Sequence, residues 1–388
     1  PKDVRCVGAD DLTLPLFENQ YPVQPRGVSY NSYLILDEKI AVMDSVDARA
    51  ADEWLAKLAH ELDGRSPDYL VISHMEPDHS GSILRLAEKY QEMKLVGNTK
   101  TFTMLRQFFG AKAPTDDRLL EVGEGETLPL GAHTLHFMLA PMVHWPEVMV
   151  AYEETEKILF SADAFGRFGA LSRTAGAPWA PQARRYYYNI VGKYGAQVQA
   201  LLKKAAALEI ETICPLHGPV LTGGALAEAL RLYDLWSRWQ SEAPEEILLA
   251  HASIHGNTAR AAELFKQKLE AAGARVTLCD LTATEVSYAV ANAFYCGKLV
   301  LACSTYDGGL FPPMEEFLSH LQAKGFRDRS VGLMENGSWA PAAARLMRAR
   351  LEEMKDLRVC GTVVSLRSAL SPANEAQMDA LTAELCAE

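Results

Sequence analysis

From Glu246 onward the chain alternates, five times over, an apolar strand with a helical stretch, and this alternation leaves few folds open. The strands read at 247–253, 275–281, 298–305, 330–335 and 359–366. Runs this apolar are buried on both faces, and a helix between successive strands makes them parallel. One such helix carries Ala261, Leu264, Phe265 and Leu269 along one side, the spacing of a helical face packed on a sheet. The expected architecture is a doubly wound parallel sheet covered by helices.

The preceding part has a different rhythm. Segments 33–36 and 40–43 flank Asp37-Glu38-Lys39 as one hairpin, and 148–152 and 158–161 flank a charged turn as another. Asp47 is placed to cap a helix with Trp54, Leu55, Leu58 and Leu62 on one face, ended by Gly64. Segment 68–73 is an apolar strand. Short strands with interspersed helices predict layers rather than a bundle. The polar, proline-bearing stretch Ser241-Glu242-Ala243-Pro244-Glu245 reads as a linker, so domains are expected at 1–245 and 246–388. With 388 residues there is length for two buried cores.

Charge and cysteine usage narrow the function classes. A net charge of −12 works against general binding of nucleic acid or anionic membranes and favours a basic or small uncharged partner. No window reaches the ~18 apolar residues of a membrane span, and the first residues lead into no apolar signal core, so the expected location is the cytoplasm. The seven cysteines are scattered and form no Cys-x-x-Cys, which excludes a zinc ribbon or rubredoxin-like clip and suits reduced thiols.

At the end of the 68–73 strand, His74-Met75-Glu76-Pro77-Asp78-His79 packs four metal-ligand side chains into six residues. Such a cluster serves no packing purpose and repels itself unless a cation compensates it. His144, Asp163 and His217 lie in similar strand-end settings. Taken singly, His144 and His217 also suit hydrogen-bonded structural histidines, and Asp163 a turn. Together the seven make four histidines and three carboxylates, enough for two metal ions about 3.5–4 Å apart with one carboxylate shared. Tyr186, Tyr187 and Tyr188 are candidates to supply a hydroxyl nearby, with packing on a helix as their alternative role.

In the second module, Ser253-Ile254-His255-Gly256-Asn257-Thr258 joins the first strand to its helix. Hydroxyls, a glycine and the free N–H groups of a helix start form a phosphate cradle there, where the flavodoxin-like fold holds FMN; a turn with a polar N-cap is the plainer alternative. Two further loops fall at the same sheet end. Ser304-Thr305-Tyr306-Asp307-Gly308 follows the third strand and Asn336-Gly337-Ser338-Trp339 the fourth, each with an aromatic to lie on a flavin ring. No Gly-x-Gly-x-x-Gly fingerprint is present, so a mononucleotide is expected rather than a dinucleotide.

The run His74-x-Glu76-x-Asp78-His79 resembles the His-x-His-x-Asp-His of the metallo-β-lactamase fold, with Glu76 where zinc hydrolases carry histidine. A carboxylate in place of an imidazole hardens the site and adds negative charge, which suits iron better than zinc. Followed by a flavodoxin-like module, the chain resembles over essentially its whole length the flavodiiron proteins, A-type flavoproteins that include rubredoxin:oxygen oxidoreductases. The resemblance implies an N-terminal αββα sandwich. It places His74, Glu76, His144 and bridging Asp163 on one iron, and Asp78, His79, Asp163 and His217 on the other. It further implies FMN in the second module, electrons from a rubredoxin or similar donor, and reduction of O2 to water or of NO to N2O. The family's assembly is a head-to-tail homodimer or a dimer of dimers. His255 stands where the family commonly has tyrosine and Asp307 where it has asparagine, which bears on the flavin potential. The chain ends with the flavodoxin-like module, the minimal arrangement of the family. A zinc hydrolase with an attached flavodoxin module is the competing reading, and a non-enzymatic flavin electron carrier a third.

Overall fold

The computed structural model describes residues 3–387. The chain divides between Asp234 and Leu235 into two compact units.

The first unit contains two six-stranded sheets. One runs Val4–Cys6, Tyr33–Ile35, Ala41–Met43, Tyr69–Val71, Lys94–Gly97 and Leu119–Glu121, in spatial as in chain order. The other runs Thr127–Pro129, Thr134–Leu139, Met149–Glu153, Ile158–Phe160, Thr212–Cys214 and Leu221–Thr222. Both hairpins read in the sequence are present, Tyr33–Ile35 antiparallel to Ala41–Met43 and Met149–Glu153 antiparallel to Ile158–Phe160. The inner faces meet in one core, where Tyr33, Val71 and Val96 of the first sheet pack with Leu135, Phe137, Met149 and Phe160 of the second. Burial of this apolar surface holds the sheets face to face. Asp47 accepts a hydrogen bond from the Arg49 N–H and starts a short 3₁₀ turn that runs into the helix Ala51–Leu62. That helix buries Trp54, Leu58 and Leu62; it stops at Asp63, a left-handed residue, one position before the expected Gly64.

The second unit is built on a six-stranded sheet, with five parallel strands in the order second, first, third, fourth, fifth and the short strand Gly309–Leu310 antiparallel to the third. The five parallel strands are Ala243–Ala252, Arg275–Asp280, Cys296–Tyr306, Arg329–Asn336 and Leu357–Leu366. The strand order reverses between the first and third, so a crevice opens at their carboxyl ends. The expected linker is not a loop, because Ala243, Pro244 and Glu245 already belong to the first strand. Ala243 pairs with Cys296 and the register shifts before Ile247, so Pro244 sits at an irregularity where its missing N–H breaks no ladder. Gly297 opposite has to be glycine: a Cβ there would lie 2.1 Å from the Pro244 carbonyl oxygen.

Five of the seven cysteines are buried and all are free thiols. Among the described residues no helix is long and apolar enough to cross a membrane.

His251, buried near the end of the first strand, has an Nδ1 with no hydrogen-bond partner, and Asp280 lies 3.9 Å away. Burial lowers its imidazole and outweighs the opposing fields of Asp280 and Glu263. An unfolded chain therefore takes up a proton at this histidine, near its ordinary ~6.5, before the folded one does. Its contribution to stability is complete above that pH and is lost as pH falls through the depressed folded value. Wild-type protein is expected to lose thermal stability on acidification from pH 7 to 5, and His251→Leu to lose less, measured by calorimetry across that range.

Candidate metal centre and flavin pocket

The ligand cluster sits where the strand Tyr69–Val71 leaves its sheet and the chain enters the one-turn helix Pro77–Ser80. Pro77 at the first helical position forces Glu76 into an extended conformation (ψ 139°) just before the turn. His74 and Glu76 therefore lie ahead of the helix, and Asp78 and His79 on it. His144, Asp163 and His217 arrive on loops from the second sheet.

The seven side chains come together in two groups. Around the first, the His74 Nε2 and Glu76 Oε2 atoms are 3.3 Å apart, His144 Nε2 and Glu76 Oε2 3.0 Å, and Asp163 Oδ2 is 3.3 Å from His74 and 3.1 Å from His144. Around the second, His79 Nε2 is 3.2 Å from Asp78 Oδ2 and 3.1 Å from His217 Nε2, while Asp163 Oδ1 is 3.2 Å from His79 and 3.6 Å from His217. Asp163 thus turns one oxygen to each group.

This donor set fits cations. The Nε2 atoms of His79 and His217 face each other at 3.1 Å, and both oxygens of Asp78 and Oδ1 of Asp163 are buried without a hydrogen-bond partner. Buried polar groups left in this way demand a compensating ligand. The electrostatics say the same. Burial alone would lower the imidazole of His144, but the Asp163 and Glu76 carboxylates outweigh it and hold it up to about 9. Burial would raise Asp163, yet the surrounding histidines drive its carboxyl well below the usual range. Protons held among these groups mark places where a metal ion replaces them.

Several supporting residues carried no signal in the sequence. Glu147 is fully buried; its Oε1 lies 2.8 Å from His74 Nδ1 and accepts the Met75 N–H at 2.9 Å. That contact orients His74 with Nε2 toward the site. Its only sequence trace is a carboxylate three positions after His144. The Ser29 carbonyl does the same for His217 Nδ1 at 2.7 Å, and Asp44, in a left-handed conformation, accepts from the Ser73 and His74 N–H groups. Glu147→Gln keeps the shape and removes the charge; it is expected to weaken metal binding by roughly tenfold, read by competition with a chelator.

Of the three tyrosines, Tyr186 faces the site. Its ring lies 5.5 Å from that of His217, and its buried hydroxyl has no hydrogen-bond partner. Burial and the fields of Asp163, Asp78 and Glu76 raise it well above the usual phenol value, so it stays a neutral O–H. A π-helical turn, Tyr187–Val191, follows at once. Tyr187 packs edge-on against Tyr188 and Tyr233, the packing role.

In the second unit the three predicted loops border one cavity of about 550 Å³ at the carboxyl ends of the strands. Ser253, His255, Asn257 and Thr258 line it from the first loop, residues 304–308 from the second, and residues 336–339 from the third. Gly256 is not on the wall: with φ 88° it is the left-handed N-cap of the helix Asn257–Ala271 and turns the chain so that the helix N–H groups open toward the cavity. Ile254, Ala340 and Ser368 also line it, the last from a fourth loop the sequence reading missed. Thr258 Oγ1 and Ser304 Oγ are 2.8 Å apart and tie two loops together. Asp307-Gly308 forms a two-residue hairpin turn between Tyr306 and Gly309, with φ 49° and 74°. Asp-Gly is a preferred pair for that turn, which gives Asp307 a conformational reason to be there. Trp339 is 88% exposed at the rim.

The chain is similar to known proteins over most of its length. Residues 28–218 match the family model described as ODP family beta lactamase. The rubredoxin-oxygen oxidoreductase of Megalodesulfovibrio gigas is 28% identical over 90% of this chain and 87% of its own. The nitric oxide reductase of Moorella thermoacetica is 27% identical over 90% of this chain and 88% of its own. Among solved structures, the rubredoxin oxygen:oxidoreductase of Desulfovibrio gigas superposes with a TM-score of 0.90 at 25% identity, covering 98% of this chain and 96% of that one. The flavodiiron protein of Giardia intestinalis gives 0.88 at 25% identity, covering 98% and 94%. The metallo-β-lactamase-like unit followed by a flavodoxin-like unit, seen in sequence and fold, agrees with what these relatives and solved structures are named, and the chain belongs to the flavodiiron proteins.

Proposed function

We propose that the protein takes electrons from a one-electron donor of the rubredoxin kind into FMN, passes them to a non-haem di-iron centre, and there reduces O2 to water or NO to N2O. The observation that carries this reading is the two-sided Asp163, whose separate oxygens face separate groups of buried histidines and carboxylates. The names of the relatives support the reaction class. Glu76 at a position where zinc hydrolases carry histidine weighs further against the hydrolase alternative.

When bound, the iron pair supplies electrons and open positions for a diatomic gas. The chain's own residues do the rest. His74, Glu76 and His144 would hold one ion and Asp78, His79 and His217 the other, with Asp163 spanning them. Phe17, ring centroid 5.3 Å from His217, and Tyr186 form an apolar wall that keeps bulk water from one side. The Tyr186 hydroxyl is a neutral donor within the field of the carboxylates. In the second unit, helix N–H groups and the Ser253, Asn257 and Thr258 side chains would hold the FMN phosphate, with Tyr306 and Trp339 beside the ring. By resemblance the active assembly is a head-to-tail homodimer.

Protein made in iron-replete cells and assayed for iron, flavin and gas consumption at O2 and NO electrodes tests the reading. Two irons and one FMN per chain, with consumption of either gas under a reduced donor, is the expected result. A zinc-only protein that binds FMN and consumes neither gas overturns it.

A further inference from the structure

The fourth loop at the flavin cavity follows the strand Leu357–Leu366 and brings Ser368 to the wall. The Ala369 N–H donates to the Arg367 carbonyl at 3.1 Å, closing a three-residue turn over Ser368, whose φ is 69°. A γ-turn with positive φ at its centre is the rare and strained hand, and a residue with a Cβ resists it. Glycine would adopt that backbone freely. A serine kept there points to a task for its side chain.

Asn336, buried at the end of the neighbouring strand, holds the turn. Its Nδ2 donates to the Ser368 carbonyl and its Oδ1 accepts the Ser368 N–H, both at 3.0 Å. Both main-chain groups of Ser368 are thereby satisfied, which leaves its hydroxyl as the group with work to do. That hydroxyl donates to Ser338 Oγ at 2.7 Å, and Ser338 lines the same cavity. A hydroxyl that accepts one hydrogen bond still has its own proton to give. Among the described residues Ser338 makes no other side-chain hydrogen bond, so this proton is available to a ligand.

The sheet decides which end of the ligand these hydroxyls meet. The phosphate cradle opens the helix Asn257–Ala271 after the first strand, whereas Ser368 follows the fifth. In the order second, first, third, fourth, fifth, those two strands are three spacings apart, about 14 Å. Ser368 is therefore too far across the sheet to serve the phosphate. Ser338 is the chain neighbour of Trp339, one of the two aromatics on the wall of the cavity. The pair belongs to the ring end.

Resting on the FMN reading above, we propose that the Ser338–Ser368 hydroxyl pair is a hydrogen-bond donor to a carbonyl oxygen of the flavin ring, with Asn336 as the residue that positions it. Ser368 gives its proton to Ser338, and Ser338 gives its own to the flavin. The reduced ring carries more negative charge on its oxygens than the oxidised ring, and a donor holds a charged acceptor more strongly. The pair thus favours reduced FMN and raises the potential at which the flavin takes electrons.

The test measures flavin midpoint potential and affinity for oxidised FMN on the full iron-loaded chain, as wild type, Ser368→Gly, Ser338→Ala, their double variant and Asn336→Ala. Glycine suits the turn at least as well as serine, so Ser368→Gly keeps the fold and removes only the hydroxyl. Each single variant is expected to prefer reduced over oxidised FMN about tenfold less, a midpoint lower by about 30 mV for a two-electron couple. The double variant is expected to add little further, because two hydroxyls in series fail together. A wild-type midpoint in Ser368→Gly and Ser338→Ala overturns the inference, and one in Asn336→Ala overturns its positioning role. Affinity lost equally in both redox states also overturns the inference, since that marks a contact to the ribityl chain or phosphate. Fully additive shifts overturn the serial arrangement. A wild-type chain that takes up no FMN overturns the flavin reading itself, a result separate from FMN bound at a potential that ignores the substitutions.

Discussion

Asp163→Ala is expected to empty both metal positions together. Its Oδ2 lies against His74 and His144 and its Oδ1 against His79 and His217, so one substitution removes a donor from each group. The remaining donors then face a void, and Glu76 and Asp78 lose the charge-sharing that two ions would provide. Metal analysis of the purified variant should find neither iron, with gas consumption lost and FMN retained. His217→Ala is the comparison, because His217 touches the second group alone and should lower the iron content by about one ion per chain in two-metal terms. Equal metal retention in the two variants would mean that Asp163 does not bridge.

The second large effect concerns the flavin. Asn257 and Thr258 open the helix Asn257–Ala271, and Thr258 is almost fully buried with its hydroxyl against Ser304. Hydrogen bonds to a charged phosphate contribute about 1.5–3 kcal/mol each. Asn257→Ala combined with Thr258→Val removes two donors, which predicts an FMN affinity weaker by roughly a hundredfold to ten thousandfold. Fluorescence titration of the apoprotein with FMN measures it, and iron content should be unchanged because the first unit has its own core. A loss of less than fivefold would mean that the phosphate is held by the helix N–H groups without help from these side chains.

The parts of the molecule legible in the sequence are those in which short-range chemistry dictates structure. Apolar runs spaced by helices made the parallel sheet readable, because burial on two faces leaves no polar alternation to confuse the pattern. The His74 to His79 run was readable for the opposite reason: its polar density has no use in packing. The boundary region was misread. Ser241 to Glu245 has the composition of a linker, yet Gly297 lets Pro244 approach at the start of a strand, and a partner more than fifty positions away leaves no local trace.

What the sequence by itself determined is the identity of the donors. Four histidines and three carboxylates at strand ends, and three small-residue loops beside a parallel sheet, name the chemistry before any contact is known. Only the tertiary structure decided how those donors share their work. Asp163 turns one oxygen to each group, Glu147 reaches His74 across 73 positions of chain, and Tyr186 brings its ring against that of His217. The physical reason is common to all three. Residue type sets what a side chain is able to bind, whereas the direction in which it points depends on backbone turns and on packing between segments distant in sequence.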